Sequence, residues 1–360
     1  MKSFCLLVLA VACGIVGAQR NALGFEFAQG VIVDTLHSIV YMMNPERSID
    51  AVSLSAGEVI ATSGRGAKPL LVYDNVLLAT DETQTDLLSI FGLNTKDLKP
   101  RFHVDLPLPN LVQTGSFYAS AWIDSNEIIV GWRSIRRPTS AIPTHEPTHV
   151  TVGFARIDRS TGRLIATGQD EPSVPQTYQV KLPDAVRKLA HEGALASPFC
   201  WLDNIIAAIQ YVEKDRYKIV TLRRWDRHTG EALPAVSLFG DELSFRGFSR
   251  DCRNLLASRG GDGWIWHIYS VVRGIQIAEI RNSLPGAEFF VSEGKLIYES
   301  PAMGEAIYGQ FRVDAPRLVA VELNTGRELW GRPVGETVNV GPYPGNPPSR
   351  STTQIPTERK

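Results

Sequence analysis

Three features of the sequence predict an all-β chain built from copies of one four-stranded unit. The first is a hairpin that recurs six times. In its clearest copy, Leu318 to Trp330, Val319, Val321 and Leu323 alternate with Ala320 and Glu322. That is the period of two of a half-buried strand, and Asn324-Thr325-Gly326 then supplies a turn whose glycine can take positive φ. The second feature is spacing. Aligned on that glycine, the turn position falls on Gly57, Lys96, Gly162, Gly230, Gly274 and Gly326, so successive copies lie 39, 66, 68, 44 and 52 residues apart. Units of about 40 residues carrying insertions would space themselves this way. The third is the residue five places before the turn, Val52, Phe91, Ile157, Trp225, Tyr269 or Val321, always large and apolar or aromatic, as a strand face packed on a neighbour requires. Four-stranded units in tandem without linkers hide their edges by closing radially, so the expected fold is a β-propeller of six blades, with seven as the alternative.

Each unit can be followed along the chain. From Gly30 to Ile60 the apolar runs Val31–Val33 and Ile39–Met42 lead into the first hairpin. The second unit opens with PLLVYDNVLLATDE, in which Asp74-Asn75 turns between two apolar strands. The third opens with SFYASAWIDSNEIIVGW, turning at Asp124-Ser125-Asn126; its next stretch, Arg133 to Thr148, holds three prolines and three arginines and reads as a surface loop. Residues 168–197 form a further insertion, within which Asp184 to Glu192 reads as a short helix, capped by Asp184 and with Val186, Leu189 and Ala190 on one face. The fourth unit resumes at PFCWLDNIIAAIQYV.

The fifth unit, FRGFSRDCRNLLASRGGDGWIWHIYSVVRGIQIAEI, resembles a WD-repeat blade. FSRDCRNLLAS stands in place of the usual Phe-Ser-Pro-Asp-Gly turn and strand, and Gly261-Asp262-Gly263 is the next turn. Cys252 occupies the place where such blades carry glycine, so a strained or altered turn is expected there. The sixth unit, EFFVSEGKLIYES followed by LVAVELNTGRELW, resembles the repeat of the pyrroloquinoline-quinone (PQQ) enzyme-like propellers, with their Leu-Asn-Thr-Gly hairpin ending in tryptophan. The resemblance spans most of residues 30 to 335 and is one of architecture, from which no function follows.

At the N-terminus Lys2 precedes an apolar run from Phe4 to Val16, and Val16-Gly17-Ala18 suits signal peptidase. The expected organisation is therefore a signal peptide over residues 1–18, a propeller over 25–340 and a disordered tail over 341–360, which has five prolines and no apolar period. The expected destination is secreted or periplasmic. Acylation at Cys13 is the alternative, although the leucine usual three residues earlier is missing. No later stretch is long enough to span a membrane. With 37 basic and 38 acidic residues the net charge is -1, which favours neither nucleic acid nor an anionic membrane surface as partner. Cys200 and Cys252 occupy matching early-strand positions in consecutive repeats, and either a disulfide or two buried thiols would suit them. Sequence alone favours the thiols, because it cannot bring two cysteines within bonding distance.

His145-Glu146-Pro147-Thr148-His149 matches the zinc-protease pattern His-Glu-x-x-His letter by letter. That chemistry needs a helix to put both histidines on one face. Pro143 and Pro147, with β-branched Thr144, Thr148 and Val150, oppose one, so an exposed loop without zinc is expected. Arg133, Arg136 and Arg137 together with His145 and His149 could form an anion-binding lip at one end of the propeller; a solvated loop is the plainer reading. Trp225 and Trp330 in hairpins, and Trp264 with Trp266 on one strand, are accounted for by packing between blades, and no cofactor is implied. The sequence thus predicts an exported, monomeric, non-catalytic scaffold that binds a protein or small ligand at one end of its channel, the alternative being a propeller enzyme of quinoprotein or lactonase type.

Overall fold

The computed structural model describes residues 24–28, 30–64, 68–81, 87–107, 115–136, 149–169, 182–192, 195–202, 204–214, 217–238, 243–259, 264–282, 288–300, 303–307, 310–314 and 316–335. Among the described residues the strands form six successive antiparallel sheets and one two-stranded ribbon. Sheet one has five strands, β1 (Phe25–Ala28), β2 (Val31–Asp34), β3 (Ile39–Met43), β4 (Ile49–Ser53) and β5 (Val59–Thr62). Sheet two has β6 (Lys68–Tyr73), β7 (Val76–Asp81), β8 (Leu87–Asn94) and β9 (Pro100–Pro107), and sheet three β10 (Gly115–Asp124), β11 (Glu127–Arg136), β12 (His149–Asp158) and β13 (Leu164–Gly168). After the helix α1 (Asp184–His191), sheet four has β14 (Leu195–Trp201), β15 (Ile205–Lys214), β16 (Tyr217–Asp226) and β17 (Ala232–Ser237). Sheet five has β18 (Leu243–Phe248), β19 (Asn254–Arg259), β20 (Trp264–Ser270) and β21 (Ile275–Asn282). In sheet six, β22 (Phe289–Ser292) and β23 (Lys295–Ser300) pair with β26 (Arg317–Glu322) and β27 (Glu328–Pro333), and a two-stranded ribbon, β24 (Met303–Ile307) with β25 (Gln310–Asp314), is inserted between them. Each sheet runs in chain order from one edge to the other, the organisation of a six-bladed β-propeller.

Contacts group the chain into two compact units. One comprises residues 1–18, 174–298 and 319–330, and the other 19–173, 299–318 and 331–360. In both, the core lies between the faces of successive sheets rather than within any one. In the second unit Tyr41, Ile49 and Ala51 of sheet one pack with Val72, Leu77 and Leu93 of sheet two, and Leu78, Leu88 and Ile90 pack with Ile128, Val130 and Ile157 of sheet three. In the first, Ala207, Ile209 and Leu222 meet Leu255 and Tyr269, and Leu256, Trp266 and Ile268 meet Leu296, Val319 and Val321. Strands buried on both sides need continuous apolar runs, which is why β6 and β7 read as PLLVY and VLLAT and are buried almost throughout.

The six hairpins anticipated in the sequence all join the last two strands of a sheet, and five have their left-handed residue where expected. Gly57, Gly162, Gly230, Gly274 and Gly326 have φ between 66° and 76°. Each N–H donates to the carbonyl four residues back: Gly57 to Ser53, Gly162 to Asp158, Gly230 to Asp226, Gly274 to Ser270 and Gly326 to Glu322. The second copy differs from expectation. Its left-handed residue is Leu98 (φ 54°), whose N–H donates to the Asn94 carbonyl, while Lys96 is an ordinary exposed residue capped by the Asn94 side chain. Leu98 tolerates the strained backbone because its side chain is 2% exposed in the core between sheets one and two.

Three smaller expectations were also altered. The helix forms, with Val186 buried and Leu189 packed on Trp225 and Ile206, but Pro183 is its N-cap. Asp184 is the first helical residue and pairs with Arg187 at 2.8 Å instead of capping. The stretch expected to be a loop from Arg133 is strand as far as Arg136, because alternation continues past Trp132 with Arg133 exposed and Ser134 buried. His149 likewise opens β12 rather than lying in a loop, its Cα opposite that of Arg136. The signal peptide, the tail, Arg137, His145 and the Gly261-Asp262-Gly263 turn lie outside the described residues.

Candidate functional site

Most polar side chains at the hairpins are committed to holding the scaffold. Asp158 accepts from the backbone and hydroxyl of both Ser160 and Thr161 at 2.7–3.1 Å, and these bonds, the Ser160 hydroxyl foremost, lower its pKa to about 2. Asp226 accepts from the backbone N–H of His228 and Thr229 and from the Thr229 hydroxyl, and its pKa is lowered as well, chiefly by the Thr229 N–H. Arg224, 6% exposed, donates to the carbonyls of Val271, Val272 and Pro234 and lies against Gly274; burial lowers its pKa. Within the second unit Arg332 of β27 donates to the Gly57 carbonyl at 2.7 Å, and Gly335 donates to the Met43 carbonyl at 2.8 Å, so the chain's last strand is fastened to its first sheet.

One constellation in the second unit is not consumed in this way. The β6–β7 turn is a two-residue reversal with Asp74 at φ 38° and Asn75 at φ 64°, the left-handed pair that polar turn residues tolerate best. It presents Asp74 to the β12–β13 hairpin of the next sheet, where Arg159 Nε donates to Asp74 Oδ2 at 2.6 Å and the guanidinium lies 5.8 Å above the Tyr73 ring. Strand β9 supplies Arg101 and Phe102. Together Tyr73, Asp74, Arg101, Phe102, Arg159 and Thr161 line a cleft of about 240 Å3.

The charge of this cleft is unevenly satisfied. Arg159 and Asp74 neutralise one another, whereas Arg101 is exposed and makes no ion pair among the described residues. Tyr73 is 1% exposed, and its hydroxyl has no hydrogen-bond partner among the described residues. Burial raises its pKa far beyond the usual phenol range, with Arg101 and Arg159 pulling it down and Asp74 pushing it up, so the group is a protonated donor beside those charges. Ser160 and Thr161 have given their hydroxyl hydrogens to Asp158 and offer the cleft only oxygen lone pairs.

The residues singled out in the sequence lie elsewhere. Arg133 is exposed on β11 opposite Val152, and the backbones of Arg136 and His149 are paired across β11 and β12. Trp225, Trp266 and Trp330 are buried at 2%, 0% and 8% exposure, as packing between sheets requires. Among the described residues no three His, Cys, Asp or Glu side chains come together as a metal site would need. Cys200 and Cys252 correct the reading as free thiols: they are joined in a disulfide with Cα atoms 5.3 Å apart, tying β14 to the β18–β19 turn. Cys252 has φ 62°, a left-handed backbone strained for a residue with a side chain, in line with the strained turn expected there. None of the cleft residues was identified from the sequence. The turns carrying Asp74 and Arg159 were visible there, but their meeting across two sheets is tertiary.

No family model matches the chain, and no curated protein matches it. Among solved structures it is similar to a europium-containing methanol dehydrogenase (TM-score 0.33, 10% identity, covering 88% of this chain and 81% of that one). It is also similar to Hsv2 of Kluyveromyces lactis (0.36, 9%, covering 82% and 95%) and to the β-propeller domain of Cps50 (Swd1) from Myceliophteria thermophila (0.34, 10%, covering 76% and 95%). The likeness is one of architecture, and the six-sheet organisation rests on the strand order and registers of this chain itself.

Proposed function

We propose that this chain is an exported, non-catalytic β-propeller scaffold that holds a protein or small ligand. The observation that carries the reading is the division of labour among its polar side chains. At the repeated hairpins they are spent on turns and carbonyls, whereas the cleft at Tyr73, Arg101 and Arg159 keeps a cation and a buried donor in reserve. Groups left unspent on a rigid frame are what a binding site requires. Export is supported by the apolar segment Phe4–Val16 and by the Cys200–Cys252 bond, since such bonds persist in oxidising compartments.

The test has two parts. Produced with residues 1–18 in an exporting host, the protein should be recovered outside the cytoplasm, begin at Gln19 and show no free thiol when denatured. Small-molecule and peptide libraries screened by thermal shift, with every stabilising compound then followed by mass spectrometry, should give ligands recovered unchanged. Conversion of a stabilising ligand to product would overturn the non-catalytic reading, and a cytoplasmic, reduced protein would overturn export.

A further inference from the structure

The cleft of the second unit has a chemistry definite enough to name its ligand class. Its charged groups are Arg101, Arg159 and Asp74, and with Asp74 already bonded to Arg159 they leave a single positive charge, on Arg101. Tyr73, 1% exposed, also lines the cleft and adds a protonated hydroxyl that lacks an acceptor among the described residues. A buried donor left unmade costs stability unless an acceptor reaches it, so the hydroxyl marks where a ligand atom belongs. One cation and one phenol match a monoanion with two oxygen acceptors, whereas a dianionic phosphate would leave a charge unmatched. The volume of about 240 Å3 lies below that of a drug-sized pocket, and the Phe102 and Tyr73 rings give it apolar walls. It admits a short acid or one side chain.

We propose that this cleft is a carboxylate-binding site, in which the Arg101 guanidinium and the Tyr73 hydroxyl hold the carboxylate while the Asp74–Arg159 pair fixes the opposite wall. The inference rests on the ligand-holding reading above and names the group that is held. The carboxylate comes from a free short-chain acid or from an Asp or Glu side chain of a partner.

The experiment is calorimetric titration of the oxidised full chain with butyrate, with an end-capped hexapeptide carrying one glutamate, with the same peptide carrying glutamine instead, and with phosphate at matched ionic strength. Saturable binding of butyrate or the glutamate peptide is expected, with neither the glutamine peptide nor phosphate competing; which of the two binds identifies the source. Arg101→Gln, an exposed change, should weaken the bound carboxylate by about tenfold or more, and Tyr73→Phe, which keeps the ring, by about three- to tenfold. Denaturant midpoints of both variants check that they are folded. The inference is overturned if no carboxylate binds, if phosphate binds equally well, or if both folded variants bind as the parent does. Any of these leaves the scaffold reading standing, because that reading fails on turnover and not on ligand class.

Discussion

The hairpin glycines differ in what surrounds them, and that difference fixes the cost of giving each a side chain. Gly162 and Gly294 have nearly the same backbone, φ 71° and 73°. A Cβ on Gly294 would meet nothing within 4 Å, so Gly294→Ala carries only the left-handed backbone penalty, about 1–2 kcal/mol. A Cβ on Gly162 would lie 2.2 Å from Phe102 Cγ and 2.5 Å from its Cβ. The ring cannot retreat, because a Cβ on Gly92 behind it would already be 2.1 Å from Cε1. Overpacking of this kind adds about 1–3 kcal/mol, so Gly162→Ala should cost about 2–5 kcal/mol in all. Guanidinium unfolding followed by tryptophan fluorescence reads both variants. The double variant Phe102→Ala/Gly162→Ala should be less destabilised than the sum of its singles by about 1 kcal/mol or more, since the clash is gone. If Gly162→Ala and Gly294→Ala shift the midpoint equally, or the double variant is additive, the claim that these glycines are contact points between sheets is refuted.

Other outcomes follow from the same geometry. Removing the disulfide with Cys200→Ala should destabilise the oxidised protein by about 4 kcal/mol, because the bond closes a loop with a sequence separation of 52; an equal midpoint for parent and variant without reductant would count against it. Leu98→Gly relieves a strained φ worth about 1 kcal/mol but empties a buried site worth about 2–5 kcal/mol, so a net loss is expected, whereas Lys96→Val at the exposed turn should leave the denaturation midpoint nearly unchanged. Asp158 titrates near 2 when folded and near 4 when unfolded, so its hydrogen bonds add stability above pH 4 that is lost as pH falls through 2. Asp158→Asn should flatten the acid limb of the stability profile between those values, and a carboxyl resonance titrating near 4 in the folded protein would contradict the assignment.

How far the fold could be read in the sequence depends on the range of the interaction. Strand alternation, the Asp74-Asn75 turn and the hairpin glycines are set by contacts a few residues apart, and all of them stand in the structure. The second hairpin shows the limit. Asn94-Thr95 matches Asn324-Thr325 in letters, yet in the structure Asn94 is equivalent to Glu322 and Leu98 to Gly326. A better local signal existed. Four residues before every left-handed position stands a polar side chain, Ser53, Asn94, Asp158, Asp226, Ser270 or Glu322, and alignment on that acceptor restores the register.

No such signal exists for what each turn meets, because the partner comes from a different segment with different chemistry: Phe102 for Gly162, Pro183 for Gly230, Arg224 for Gly274, Ile280 for Gly326 and Arg332 for Gly57. One steric need, a flat approach to a bare backbone, is answered by an aromatic ring, a proline, two arginines and an isoleucine, so the partners share shape and position but no letter. The cleft is a by-product of that freedom. Phe102 packs on Gly162, Arg101 and Arg159 line the same cleft, and that cleft arises where the sequence shows only a strand end and a turn.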